Sequence, residues 1–299
     1  MKNQKIKGAL TAVLTAFNED LTINFEKTIS NAKKQLDAGL DGVVFFGTTG
    51  EGNSINVDEK KLFVEKLMEF KFPLNKTMIG TGSCSIMDAI NLTKFCVEKG
   101  INDCLMLPPF YYKNPKDDGL FQFFSEVIQR VGSKDLRIQI YHFPAISQIP
   151  ITHNLIGKLL KDYPENFCGI KDSGGDLNNM LSMCKNFENF DVYAGSEAYF
   201  LDVLEAGGAG TITATGNLTY LKCIEVMSAY KLNDQNKKSL QDELTNQRNN
   251  LQKACSSYGF VSGLKEILSD NIQDNSWRIT RPPFKILNEK QKKEILNKN

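Results

Sequence analysis

The sequence predicts an α/β fold, a (β/α)8 TIM barrel followed by a C-terminal helical appendage. Eight short apolar, β-branched runs alternate with amphipathic stretches as far as Thr213, a pattern typical of βαβ units around a parallel sheet. Beyond Thr213 only helical patterns continue. An open doubly wound sheet would show the same alternation, but eight is the number of strands that closes a barrel of this kind. We therefore expect the barrel in residues 1–217 and the helical region in residues 218–299.

The predicted strands are the eight apolar runs, and the predicted helices are the amphipathic stretches between them. The strands cover residues 6–17, 42–47, 77–82, 103–107, 137–143, 167–172, 192–195 and 208–213. The helices cover residues 24–38, 58–70, 86–99, 117–131, 153–161, 177–187 and 196–206. Ser85 can cap the third helix, and Gly39, Gly100 and Gly207 each follow a helical stretch, where a left-handed residue often ends a helix.

The C-terminal region reads as a series of helices without strands. These helices are predicted over residues 218–232, 235–256, 259–269 and 289–297. Paired prolines disfavour helix in residues 277–283 and predict a loop there. The run 233–250 is so polar that we interpret it as a solvated helix face.

Length and charge limit the classes of partner. The chain has 299 residues, with 36 basic and 35 acidic residues and a formal charge of +1. Because these charges nearly cancel, we expect no broad electrostatic field that would attract nucleic acid or anionic lipid. No apolar run approaches the roughly 20 residues of a transmembrane helix. The expected partner is a small molecule.

The start of the chain and the cysteines indicate the compartment. The apolar stretch 8–17 imitates a secretory signal, but it contains Thr11 and Thr15 and lacks a small-residue cleavage site, so we predict a first strand. Seven cysteines without a CxxC pair argue against a disulfide framework and a structural zinc site. They suit a reducing cytosol, and we expect a cytoplasmic protein.

In a barrel, the carboxyl ends of the strands and the loops after them face the active site. Polar clusters stand at four of these places. They are Gly47-Thr48-Thr49-Gly50-Glu51-Gly52, Pro108-Pro109-Phe110-Tyr111-Tyr112, Tyr141-His142-Phe143-Pro144 and Gly169-Ile170-Lys171-Asp172-Ser173-Gly174.

Lys171 is the most informative residue because it ends an apolar strand inside the predicted barrel. Desolvation disfavours an ammonium ion, and the neutral amine can attack a ketone to give an iminium. The alternative is a lysine that reaches solvent or pairs with Asp172. Tyr141 also ends a strand, where its phenol could move a proton, although a buried tyrosine can equally be part of the core.

The turn 47–52 offers backbone N–H groups and two hydroxyls, which together suit a carboxylate. It lacks the Gly-Lys-Ser/Thr of a phosphate-binding loop and completes no dinucleotide fingerprint, so no nucleotide is expected. No metal is expected either, since His142 and His153 lie too far apart for a helical ligand pair. His142 should point away from Tyr141, into packing or a supporting hydrogen bond.

Taken together, the four motifs resemble the dihydrodipicolinate synthase and N-acetylneuraminate lyase family. Their order and spacing match over almost the whole chain, as do the segments 195–197 and 207–210 and the helical tail. The resemblance implies that Lys171 forms a Schiff base with pyruvate and that Tyr141 is the acid/base. It also implies that Thr48 links Tyr141 to a tyrosine lent by a neighbouring subunit, for which we predict Tyr111, with Tyr112 as the alternative.

The same resemblance assigns the substrate contacts. It implies that Thr48 and Thr49 hold the pyruvate carboxylate, while the backbone at Gly195 and Ile212 lines the floor of the site. It further implies a homotetramer, a dimer of dimers, and no cofactor other than the covalent Schiff base on Lys171.

One position departs from the family pattern. The synthase branch carries an arginine two residues beyond its Tyr-x-x-Pro motif to bind the carboxylate of the second substrate, whereas this chain has Ile146. Ile146 cannot form a bidentate ion pair, and the loss of such a partner costs about 2 to 5 kcal/mol in a desolvated site. The sequence after Pro144 looks more like the sugar-acid aldolase and lyase branches. Glu197 and Ser147 then become candidates for binding substrate hydroxyls, or they are solvated loop residues.

The leading hypothesis is a lyase that cleaves or condenses a 2-keto-3-deoxy sugar acid or a related 2-keto acid, with pyruvate as product or donor and an aldehyde as the other partner. The first alternative is dihydrodipicolinate synthase itself, acting on aspartate semialdehyde. A hydratase-aldolase acting on aromatic pyruvates is also open because Phe143 and Ile146 are apolar. The alternative from another class is a barrel that binds keto acids without turnover.

Overall fold

The computed structural model describes residues 5–297, which contain a closed barrel of eight parallel strands in chain order. Each strand pairs with the next, and the last pairs with the first. The strands are β1 (Gly8–Ala12), β2 (Gly42–Phe45), β3 (Thr77–Gly80), β4 (Asp103–Met106), β5 (Arg137–His142), β6 (Phe167–Asp172), β7 (Asp191–Ala194) and β8 (Gly210–Thr213). The predicted barrel is confirmed.

The helices follow the strands on the outside of the barrel. They are α1 (Phe25–Asp37), α2 (Val57–Glu69), α3 (Ile86–Glu98), α4 (Asp117–Val131), α5 (Pro144–Ser147), α6 (His153–Asp162), α7 (Leu177–Asn186), α8 (Phe200–Glu205), α9 (Gly216–Lys231), α10 (Lys237–Ser256), α11 (Phe260–Ile272) and α12 (Glu289–Leu296). Short 3-10 helices precede α8, at Glu197–Tyr199, and follow α11, at Asn275–Arg278.

Most predicted elements occur within a few residues of their observed bounds, and the largest difference lies in the first strand. The prediction extended it to residue 17, but β1 ends at Ala12. Beyond it, the backbone N–H of Leu14 donates to the side-chain oxygen of Asn217, and that of Ala16 donates to Thr28. Because these two N–H groups bond to side chains of helices and not to a neighbouring strand, the chain leaves the sheet before the apolar run ends.

The residues predicted to cap or end helices do so in the structure. The Ser85 hydroxyl accepts a hydrogen bond from the Asp88 N–H and caps α3. Gly39, Gly100 and Gly207 follow α1, α3 and α8 with φ of 112°, 89° and 83°, values that a side chain would disfavour.

Two apolar layers hold the barrel together. The larger lies between the strands and the surrounding helices. The smaller fills the inside of the barrel and consists of Ile6, Leu10, Ala12, Val44, Met78, Leu105, Tyr141, Tyr193, Ala209 and Ile212. Because alternate strand residues face opposite sides, Tyr141 points inward while its neighbours Ile140 and His142 face the helices.

The C-terminal helices have an apolar cluster of their own, which includes Leu264, Ile267 and Trp277 and also takes in Leu14 and Ala16 just beyond β1. α9 packs against β1, and α10 packs against α9. The predicted division between residues 217 and 218 falls inside α9 and stays a prediction, and its outer ends, residues 1–4 and 298–299, lie outside the described residues. Over the described range, none of the helices combines the length and apolarity that a membrane span needs.

Candidate active site

A cavity of about 700 Å³ opens at the carboxyl ends of the strands. Residues at the ends of β2, β5, β6, β7 and β8 form most of its wall, and the C-terminal helices form the rest. The predicted site residues on its lining are Thr48, Thr49, Tyr141, Lys171, Gly195 and Glu197. The structure therefore brings together side chains from strands that are far apart in sequence.

Lys171 and Tyr141 face each other inside this cavity. They are register partners on the adjacent strands β6 and β5, and the Lys171 Nζ lies 4.2 Å from the centroid of the Tyr141 ring. The two residues are only 4% and 3% exposed. Asp172 does not pair with Lys171, because its carboxylate accepts hydrogen bonds from the Gly174 N–H at 2.7 Å and the Asn179 side chain at 2.8 Å. The cavity thus holds a buried amine beside a phenol ring.

The turn after β2 presents Thr48 and Thr49 to the same cavity. It is closed by hydrogen bonds from the Glu51 N–H to the Thr48 carbonyl and from the Gly52 N–H to the Gly47 carbonyl, each 3.1 Å long. Hydroxyls on a turn closed in this way can donate hydrogen bonds to a carboxylate that enters the cavity beside Lys171.

A buried ion pair ties this turn to the C-terminal region. The Glu51 carboxylate accepts hydrogen bonds from the Lys265 ammonium and, at 2.9 Å, from the Arg281 backbone N–H. Lys265 also donates to the Ile279 carbonyl at 2.8 Å. Burial lowers the pKa of Lys265 to about 8, and the Glu51 carboxylate offsets part of that shift. Glu51 therefore anchors the turn rather than binding substrate.

Replacement of Lys265 by methionine is expected to lower the free energy of unfolding by about 3 kcal/mol, because the Glu51 carboxylate would stay buried without its cation. Urea denaturation measures the change. Lys253→Met on α10 is the matched control, since Lys253 is exposed and should change stability by less than about 0.5 kcal/mol. A Lys265→Met protein as stable as this control would contradict the assigned role.

Glu197 is buried at the edge of the cavity and is held by hydroxyl groups. Its carboxylate accepts hydrogen bonds from Thr213, Thr215 and, at 2.9 Å, Thr219. Gln241 of α10 donates to its backbone carbonyl at 2.7 Å. Glu197 is thus a fixed part of the cavity wall and not a solvated loop residue.

Ser147 has a different place from the one predicted. Its hydroxyl donates to the Phe143 carbonyl at 3.0 Å and accepts from the Ile149 N–H at 3.2 Å, so it closes the short helix α5. Ser147 is buried and does not line the cavity. The neighbouring Ile146, in contrast, lines the cavity and is 57% exposed.

Gly195 lines the cavity, whereas Ile212 lies in the apolar layer inside the barrel. The Gly195 N–H donates to the Asp172 carbonyl at 2.7 Å, which brings the two chain segments close together. A Cβ at position 195 would lie 2.1 Å from the Ser173 hydroxyl oxygen. Only glycine fits this close approach beside the strand that carries Lys171.

Tyr111 and Tyr112 lie outside the cavity of their own chain. They are 72% and 76% exposed, and their rings meet edge to face with centroids 5.4 Å apart. The relay role of Tyr111 stays a prediction that requires a neighbouring subunit.

His142 faces away from Tyr141 and supports the strand ends from outside the barrel. Its Nδ1 accepts a hydrogen bond from the Ile151 N–H at 3.1 Å, and its Nε2 lies 4.0 Å from the Asp172 carboxylate. Burial lowers the pKa of His142 from its ordinary value of 6.5, and Asp172 opposes that shift. Protonation of Nδ1 would also break the bond to Ile151. This is the supporting hydrogen bond that the sequence predicts as one of two possibilities.

The lowered pKa of His142 makes the folded state bind a proton less readily than the unfolded state. Stability should therefore fall as the pH drops below about 6.5 and through the folded pKa. We expect the loss of melting temperature between about pH 7.5 and about pH 5 to be smaller in His142→Gln than in the wild type. Thermal unfolding at several pH values measures it. His153→Gln serves as control, and an equal change in both variants would contradict this role.

The helical C-terminal region contributes residues that the sequence reasoning missed. Arg248, Asn249 and Gln252 of α10 line the cavity, together with Phe260 and Val261 at the start of α11. The run 233–250, interpreted as a solvated face, thus turns its last residues toward the cavity. One signal was available, because Arg248 is the only arginine in that run.

Comparisons of sequence and structure show which known proteins this chain resembles. The sequence model of the Dihydrodipicolinate synthetase family matches residues 5–298. An uncharacterized DapA-like lyase of Chloroflexus aurantiacus is 32% identical over 209 residues, which cover 70% of this chain and 69% of that protein. A 4-hydroxy-tetrahydrodipicolinate synthase of Leptospira biflexa is 31% identical over 231 residues and covers 76% of each chain. The crystal structure of dihydrodipicolinate synthase from Agrobacterium tumefaciens aligns with a TM-score of 0.85 at 26% identity, over 98% of both chains.

Proposed function

Because this chain belongs to the dihydrodipicolinate synthetase family, we propose that it is a pyruvate-dependent class I aldolase that cleaves or forms a 2-keto-3-deoxy sugar acid or a related 2-keto acid. The relatives named above are a lyase and a synthase, and a lyase is the class of enzyme that family membership supports. One observation carries the finer proposal. Lys171 is buried beside Tyr141 in a cavity at the carboxyl ends of the barrel strands.

The proposed reaction uses Lys171 as a nucleophile. Its amine adds to the ketone carbon of pyruvate, and loss of water leaves an iminium. Loss of a proton from the methyl group gives an enamine, whose carbon bonds to the aldehyde carbon while the aldehyde oxygen takes up a proton. Hydrolysis then frees Lys171 and the product, and cleavage runs through the same steps in reverse.

Tyr141 is proposed to move the protons of these steps, and Thr48 and Thr49 to hold the pyruvate carboxylate. The iminium itself withdraws electrons from the neighbouring carbon, so the proposed reaction needs neither a metal ion nor a nucleotide. Tyr111 is proposed to complete the proton relay from a neighbouring subunit in a homotetramer. Sedimentation should then show tetramers, and a fully active monomer would contradict the relay.

Ile146 and Glu197 favour a sugar acid over aspartate semialdehyde as the second substrate. Ile146 offers no charge where the synthase branch is expected to bind a carboxylate. The Glu197 carboxylate lines the cavity and accepts three hydrogen bonds from threonine hydroxyls, which leaves it a further lone pair that can accept a hydrogen bond from a substrate hydroxyl. A second candidate remains, 4-hydroxy-tetrahydrodipicolinate synthase, because a relative with 31% identity bears that name.

Two coupled assays separate these candidates. Cleavage of 2-keto-3-deoxygluconate is followed as release of pyruvate, and condensation with aspartate semialdehyde is followed as consumption of pyruvate. We expect kcat/KM for the cleavage to be at least about tenfold higher, which corresponds to about 1.4 kcal/mol of transition-state binding. A preference of that size for aspartate semialdehyde would instead establish the second candidate.

A further inference from the structure

The charged side chains that line the cavity are Lys171, Asp172, Glu197 and Arg248. They differ in their partners and in their roles. Asp172 is held by Gly174 and Asn179, Glu197 is held by threonine hydroxyls, and Lys171 is the proposed nucleophile. Arg248 is therefore the cavity cation that the proposed function leaves unused.

Arg248 also differs from the other arginines of the chain. Each of those pairs with a carboxylate, in the pairs Arg130–Glu126, Arg137–Asp103, Arg278–Glu266 and Arg281–Glu59. Within residues 5–297, Arg248 forms no such pair. Its guanidinium donates to the amide oxygens of Asn249 at 3.0 Å and Gln252 at 3.4 Å, and both of these side chains line the same cavity.

The position of Arg248 suits one end of an elongated substrate. Lys171 is a buried residue of the cavity wall on β6, whereas Arg248 is half-buried on α10, where the C-terminal helices complete the wall. Ile146 lines this cavity as well and is apolar, so the fixed positive charge comes from α10 and not from the loop after β5.

We propose that Arg248 binds an anionic group, a carboxylate or a phosphate, at the end of the second substrate that is remote from its aldehyde. This inference rests on the proposed function, because it assumes an aldehyde that reacts at Lys171. A guanidinium presents paired N–H donors that match two oxygens of either anion, and weak bonds to neutral amides are easily exchanged for them. The amide groups of Asn249 and Gln252 can donate to the same anion.

Matched aldehydes test this proposal, with pyruvate as the donor and pyruvate consumption as the measurement. Glyceraldehyde 3-phosphate is compared with glyceraldehyde, and succinic semialdehyde is compared with butanal, so that each pair differs in its terminal anion. In the wild type, the anionic member of at least one pair should have the higher kcat/KM. In Arg248→Gln that ratio should fall about 10- to 100-fold, and Arg248→Lys should restore only part of it, because lysine lacks the paired donors.

The control is Lys253→Gln, which removes an exposed cation from the same helix outside the cavity and should leave the ratio within about twofold of the wild type. A fall in the phosphate pair alone identifies a phosphate as the anion, and a fall in the carboxylate pair alone identifies a carboxylate. Ratios that do not favour the anion in the wild type, or that Arg248→Gln leaves unchanged, overturn the proposal.

Borohydride trapping of pyruvate, run in parallel on the wild type and Arg248→Gln, distinguishes a failure of the anion-binding role of Arg248 from a failure of the proposed function. Trapping in both proteins with unchanged ratios rejects the role of Arg248 alone. Absence of trapping in the wild type rejects the proposed function and the inference with it.

Discussion

Replacement of Lys171 by arginine should lower turnover of any keto acid substrate by at least about 10⁴-fold. Arginine is similar to lysine in length, but its guanidinium stays protonated and cannot add to a ketone. Without the nucleophile the covalent pathway is lost. Only substrate binding and positioning then still contribute to the rate. Steady-state pyruvate release from a cleavable 2-keto acid measures this effect.

The control for this variant is Lys158→Arg. Lys158 is exposed on α6 and pairs with Asp118, so its replacement should leave turnover within about twofold of the wild type. Thermal unfolding of Lys171→Arg shows whether the barrel is still folded, because Lys171 is buried. A folded Lys171→Arg protein with wild-type turnover would refute the proposed nucleophile.

Replacement of Tyr141 by phenylalanine should lower kcat by about 10²- to 10⁴-fold, the usual contribution of a positioned acid or base. Phenylalanine keeps the ring that packs beside Phe143 and under the Lys171 Nζ, so only the hydroxyl is lost. Because Lys171 remains, pyruvate should still be trapped on it by borohydride, although more slowly. Rapid-quench trapping and steady-state kinetics together separate formation of the iminium from later proton transfer.

Tyr193→Phe is the matched control for the tyrosine experiment. Tyr193 is also buried inside the barrel, but its hydroxyl donates to the Ile6 carbonyl and the residue does not line the cavity. Its loss should reduce stability by about 1 kcal/mol and change kcat little. Equal kinetic effects of Tyr141→Phe and Tyr193→Phe would mean that the Tyr141 hydroxyl has a structural role only.

The facing positions of Lys171 and Tyr141 could be predicted from the sequence because barrel topology sets them. Neighbouring parallel strands end at the same rim, and side chains alternate along each strand, so two residues at matching strand ends must converge. The turn with Thr48 and Thr49 is predictable for the same reason. The order of the motifs along the chain, combined with barrel topology, was therefore enough to predict most of this part of the site.

Contacts between distant segments could not be predicted in this way. Lys265 binds Glu51 across 214 residues of sequence, and Arg248 reaches the cavity only because α10 packs beside the barrel. Neither contact follows from helical spacing, which places residues on a face without saying what that face meets. The sequence also did not show that the Ser147 hydroxyl bonds within the turn of α5, away from the cavity lining, and its role toward substrate stays a prediction.

Borohydride reduction in the presence of pyruvate, followed by peptide mass mapping, tests the central claim most directly. If Lys171 forms the iminium, reduction should leave one pyruvate-derived adduct per chain, on the peptide that contains Lys171, and Lys171→Arg should carry none. An adduct on another lysine, or continued turnover without any trapped adduct at saturating pyruvate, would contradict the proposed chemistry.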